Sequence, residues 1–144
     1  MKSIYKLLSA LVVLAFVLSM SCRGDDPKAI SLNEIAFEKL SGDWTLGTTG
    51  SIDLDGTNVS LNYPGFSFSF TDGTYTTENA GDLFRAMGTW QWVGEEATVF
   101  RLDSGEQVTI LDLTETRFRF TFTSGGTGCE AAGIAGVYTI EVVK

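Results

Sequence analysis

Arg117-Phe118-Arg119-Phe120-Thr121-Phe122-Thr123 places an aromatic ring at every second position and a polar side chain between each pair. Phe66-Ser67-Phe68-Ser69-Phe70-Thr71 repeats the pattern, and Thr89-Trp90-Gln91-Trp92 carries it with tryptophan. Successive side chains of a strand point to opposite faces, so each stretch describes a strand with one apolar face and one wet face. The rings of Phe66, Phe68, Phe70, Trp90, Trp92, Phe100, Phe118, Phe120 and Phe122 are therefore expected on one inner surface. There they either fill a core or line a pocket for an apolar ligand. Their faces carry no polar group to orient a ligand, which favours a mostly filled core.

Turn residues separate these runs: Asp55-Gly56, Asp72-Gly73, Gly94-Glu95-Glu96 and Ser104-Gly105. An Asp-Gly pair between alternating runs is a hairpin signal, since both central residues of that turn take positive φ. The spacing predicts strands near 43–54, 58–63, 66–71, 74–78, 86–93, 97–103, 106–113, 116–123 and 136–143, the first bending near Gly47 or Gly50. Ahead of them, Ser31 and Glu34 have capping-box spacing. They predict a helix over about 32–40, with Ile35, Phe37 and Leu40 as its apolar contacts and Gly42 as its stop. Short connections make successive strands neighbours. The expected fold is all-β: an up-and-down antiparallel barrel of eight or nine strands with one short N-terminal helix. Closure also removes the open edges that a flat sheet would leave.

The first 21 residues do not belong to that domain. Lys2 and Lys6 precede an apolar run from Leu7 to Met20, too short to span a bilayer and flanked like a secretory signal. The run ends Leu18-Ser19-Met20-Ser21-Cys22, which resembles the lipobox of bacterial lipoproteins in the relaxed form familiar from Bacteroidota. That resemblance implies cleavage before Cys22 and acyl chains on that cysteine, so the expected membrane partner is reached through lipid. Each buried methylene contributes about 0.8 kcal/mol, and stable anchoring needs two or more chains. Residues 22–30 read as a tether and 31–144 as the barrel domain. Asp25 and Asp26 soon after the cysteine resemble the surface-export tethers of the same lipoproteins, which points to the outer membrane. Arg23-Gly24-Asp25 matches an integrin-binding tripeptide but lies beside the lipid, where a receptor has no room.

The whole chain carries ten Lys and Arg against eighteen Asp and Glu, a formal charge of −8. Loss of Lys2 and Lys6 takes the remainder to eight against eighteen, −10. A domain so acidic repels nucleic acid. The chain contains no histidine, which removes Ser-His-Asp and Cys-His catalysis and histidine metal sites. The acids fall mostly at turns, as with Asp55, Asp72, Glu95 and Glu96, so no enzyme activity, metal or cofactor is expected. Asp53, Asp55 and Asn58 around Gly56 offer calcium-type oxygens, but a hairpin accounts for them. Cys129, the only other cysteine, has no histidine to activate it and reads as a small packing residue.

The predicted helix runs into Gly42-Asp43-Trp44. A short helix followed by Gly-x-Trp at the head of the first strand resembles the lipocalin superfamily, and the general pattern resembles the lipocalin-like lipoproteins of Bacteroidota. That resemblance implies that Trp44 closes a barrel floor and that an arginine from a late strand, Arg117 or Arg119, packs across it. It also implies a small apolar or amphipathic ligand in the barrel mouth. Two other uses stay open: an envelope accessory protein that holds a protein partner, and a carbohydrate-binding module that displays Trp90, Trp92 or Tyr63.

Overall fold

The computed structural model describes residues 29–125 and 134–144. The signal segment, Cys22, the Arg23-Gly24-Asp25 triplet and Cys129 lie outside the described residues. Among the described residues, one helix, α1 (Leu32–Leu40), precedes ten strands: β1 (Gly42–Thr45), β2 (Ser51–Leu54), β3 (Thr57–Asn58), β4 (Ser67–Thr71), β5 (Thr74–Glu78), β6 (Met87–Trp92), β7 (Val99–Leu102), β8 (Gln107–Leu113), β9 (Arg117–Ser124) and β10 (Gly136–Val143). Strands β4 to β10 form a continuous antiparallel meander. β1 pairs with β4 on one side and meets β10 at Thr45–Val143, while β2 continues along β10. The sheet therefore closes into an eight-stranded barrel in which β1 and β2 are two halves of one bent strand. This is the all-β barrel that the alternating rings predict.

The bend falls where glycine was expected. Gly50 lies against backbone, and a Cβ there would sit 2.4 Å from the Leu46 oxygen and 2.5 Å from the Glu141 oxygen. No side chain fits that corner. At the Asp55-Gly56 turn both residues have positive φ, 48° and 81°, as the tight hairpin demands. Asp72-Gly73 differs, with only its glycine left-handed.

The strand expected over 58–63 is not one. Only Thr57 and Asn58 pair with β2, after which Ser60–Asn62 form a 3-10 turn. Side chain–backbone bonds compete with the ladder there. Ser60 Oγ accepts from Ile52 N (2.9 Å), and Asn58 Oδ1 accepts from Ser60 N (3.1 Å). The nearby acids are also engaged locally. Asp55 accepts from Val137 N (2.9 Å) and Asp53 from Ser51 Oγ (2.8 Å).

Helix α1 starts on the expected capping box. Ser31 Oγ accepts from Glu34 N (3.1 Å), and Glu34 Oε2 accepts from Ser31 N (2.8 Å). It ends at Ser41, whose N–H donates to Phe37 O (2.8 Å). Leu40 is buried and Phe37 half-buried, but Ile35 faces solvent rather than the barrel. Among the described residues, no helix is long and apolar enough to cross a membrane.

The interior is a stack of rings. Phe68 on β4 meets Phe120 on β9 at 6.1 Å, and Phe70 meets Phe118 at 6.0 Å, so contacts span the barrel from wall to wall. Tyr75 and Tyr63 are also buried. Burial pushes each hydroxyl up to about 12, with Asp103 reinforcing the shift at Tyr75 and Tyr138 at Tyr63. A raised pKa leaves its stabilisation intact below the unfolded value near 10, and that stabilisation is lost as pH climbs towards 12. The domain should therefore lose urea resistance steadily from about pH 10 upward, with no loss from these two groups between pH 7 and 9. Urea midpoints at pH 8, 10 and 11.5, read beside tyrosinate absorbance, check this.

Candidate functional site

The floor of the barrel is built where α1 turns into β1. Trp44 is fully buried, donates its indole N–H to Leu40 O at 2.7 Å and packs on Phe118 at 5.6 Å. Gly42, with φ 109°, makes the left-handed step between helix and strand. The cation across Trp44 is Lys144, not an arginine. Its Nζ lies 4.4 Å from the ring centroid and donates to Lys39 O (2.8 Å) and Ser41 O (2.7 Å). These carbonyls belong to the C-terminal turn of α1, where positive charge is favoured.

Arg117 and Arg119 point outward, opposite the phenylalanines of β9. Arg117 pairs with Asp112, which holds its guanidinium pKa above the usual value, and Arg119 lies 3.9 Å from Glu141. Such exposed pairs add little stability. Lys144→Met should cost about 1–2 kcal/mol through the lost cation–π and carbonyl contacts. Arg117→Met and Arg119→Met should leave the urea midpoint close to that of the parent. Urea unfolding of the three variants ranks them.

Among the described residues, the end of the barrel where a mouth was expected is packed from within. Between β5 and β6 the chain folds Leu83 and Phe84 inward, 5% and 6% exposed. The Phe84 ring lies 4.8 Å from Phe122, 5.0 Å from Phe68 and 6.3 Å from Phe120. All the inward rings named from the sequence are buried, except Trp92, which is half-buried. They fill the core. Phe84 carries no period-two signal, and the sequence reading missed it.

An open groove of about 500 Å³ lies outside the floor, between α1, the β4–β5 turn and the end of β6. Phe37, Trp90 and Trp92 form its aromatic base, and Asn33, Glu34, Asp72 and Gln91 its rim. Trp90 is fixed by its indole N–H, which is shared between Thr71 O (3.0 Å) and Thr74 O (3.1 Å). Phe37 lies 5.9 Å from Trp90, and Trp92 stands against Trp90 at 5.1 Å with the rings crossed at 88°. Asn33 Nδ2 donates to Gly94 O at 3.1 Å and ties α1 to the β6–β7 loop. Its Oδ1 is buried and accepts from nothing. Such an acceptor costs about 1–3 kcal/mol.

A flat sugar platform is not formed. Trp90 and Tyr63 are buried, and Trp90 and Trp92 are perpendicular. Among the described residues, no cluster of three or more His, Cys, Asp or Glu side chains is placed to hold a metal ion. Comparison with protein-family models, with curated proteins and with solved structures found no match.

Proposed function

We propose that this protein is a lipid-anchored, non-enzymatic component of the cell envelope that binds a small amphipathic molecule in the groove beside α1. The observation that carries the binding reading is the groove itself: an aromatic base of Phe37, Trp90 and Trp92 with a polar rim. Ligand pockets combine an apolar lining with a few placed polar groups, and this groove has that composition. The packed rings of the interior argue against a ligand inside the barrel. The anchor is proposed from the sequence around Cys22, with the outer membrane as its place. The intact mass of the native product tests it: acyl chains on Cys22 are expected, and an unmodified cysteine there ends the tethering claim.

Binding is tested by titrating an amphipathic fluorophore into the purified protein. Saturable uptake that quenches tryptophan, lost in Trp92→Ala, is the expected result. Uptake that Trp92→Ala leaves unchanged removes the groove reading. A protein-binding role has separate support in the exposed apolar side chains Ile30, Leu32 and Ile35, which are 71%, 55% and 42% exposed at and before α1. Isolated exposed apolar residues are common on soluble domains, so the groove is the better-supported site.

A further inference from the structure

Three exposed apolar side chains stand where the chain enters the domain. Ser31 caps α1, so Ile30 holds the position before the cap and Ile35 the fourth helical position. Those two positions are neighbours across the first turn of a helix. Leu32 lies three residues before Ile35 and so shares its side of the helix. Ile30, Leu32 and Ile35 are 71%, 55% and 42% exposed, while α1 packs on the barrel through Phe37 and Leu40 instead. The register fixes which end of the barrel this is. Gly42 pairs with Phe70 and Thr45 with Ser67, so α1 sits at the end that carries the β4–β5 turn. Leu61 lies towards the other end, where the Tyr63 ring is beside Gly81.

We infer that this end of the domain sits on the bilayer that holds the anchor, with Ile30, Leu32 and Ile35 between the headgroups and the acyl chains. The inference rests on acylation of Cys22 and adds which face of the domain meets lipid. The occupant follows from the length of chain between the two. Ile30 is the eighth residue after Cys22. Whatever path the chain takes, Ile30 stands no farther than about 26–29 Å from the acylated residue. The opposite end approaches the lipid only if the domain turns over. Three partly exposed apolar side chains would hold a free domain weakly. A short link makes their insertion intramolecular, at an effective concentration on the order of millimolar, and weak insertion then suffices. Apolar side chains along one side of a helix are what an interfacial segment buries in lipid. The acidic domain is repelled by anionic headgroups, so the seat is on zwitterionic phospholipid. Asn33 and Glu34 of the same helical turn line the groove, so the seat also brings the helix side of the groove to the lipid surface.

The test uses the acylated protein extracted from its own membranes and placed in phosphatidylcholine vesicles with plain or brominated acyl chains. Bromine quenches tryptophan that reaches it. Leu32→Trp and Leu61→Trp each add a reporter at an exposed position, Leu61 being 95% exposed. Emission added by Leu32→Trp should fall about twofold or more in the brominated lipid, because an interfacial helix buries its apolar face about 5–10 Å into that zone. Emission added by Leu61→Trp should stay. Ile30→Trp, outside the helix, should behave as Leu32→Trp does. Adding Ile35→Glu to Leu32→Trp should restore most of the lost emission. Equal quenching in Leu32→Trp and Leu61→Trp overturns the inference, as does quenching that Ile35→Glu leaves unchanged. An acylated protein in which neither Leu32→Trp nor Ile30→Trp is quenched overturns it too and leaves the anchor standing; a protein partner on these side chains would give that result. If the intact mass shows Cys22 unmodified, the anchor reading itself falls, and the inference with it.

Discussion

Trp44→Ala is expected to lower the stability of the domain by about 3–5 kcal/mol, the cost of emptying a large buried aromatic site. Domains of this size are stable by only about 5–15 kcal/mol, so much of the variant should be close to unfolding. Two separate losses contribute. The ring fills the space between Phe118 and the end of α1, and Lys144 lies over its face. Its indole N–H also satisfies Leu40 O inside the protein. Trp44→Phe separates the two, because it keeps most of the ring and removes only the donor. It should cost about 1–3 kcal/mol, the penalty for a buried acceptor left unpaired. Urea unfolding followed by far-UV circular dichroism measures both without depending on tryptophan emission. A Trp44→Ala variant within 1 kcal/mol of the parent would mean that the floor is not a structural keystone.

The contrast between Trp44 and its partner cation shows where sequence reasoning reaches and where it stops. Strands were legible because period two ties each side chain to a face, and a run such as Arg117 to Thr123 has one reading. The same period already places Arg117 and Arg119 on the face opposite Phe118, so the resemblance that assigned an arginine to the floor conflicted with the pattern beside it. The pattern prevailed. Lys144 could not be found in this way. It stands 100 residues from Trp44 in the chain, and only the pairing of β10 with β1 at Thr45–Val143 brings it over the ring. The groove has the same origin. Asn33, Asp72 and Trp92 come from a helix, a turn and a strand that share no local signal, and barrel closure assembles them at one end. The strand that failed, 58–63, failed because Ser60 and Asn58 offer the backbone short-range partners that an alternation argument does not weigh.

Phe84 was illegible for a different reason: it lies in the connection between β5 and β6, where no periodicity marks an inward residue. Its replacement separates a barrel that is plugged from one that is merely narrow. Phe84→Ala should cost about 3–5 kcal/mol and leave an apolar void beside Phe66, Phe68, Phe120 and Phe122. A void lined only by apolar groups stays dry and accepts a small apolar molecule. Binding to the folded state alone raises stability by RT ln(1 + [L]/Kd), about 2.7 kcal/mol at a hundredfold excess over Kd. Benzene should therefore raise the melting temperature of Phe84→Ala while the parent protein stays unmoved. In the parent, rings from opposite walls already meet across the barrel, Phe68 with Phe120 and Phe70 with Phe118. An equal rise in both proteins would show that the interior was open from the start, and the ligand would then belong in the barrel rather than in the groove outside it.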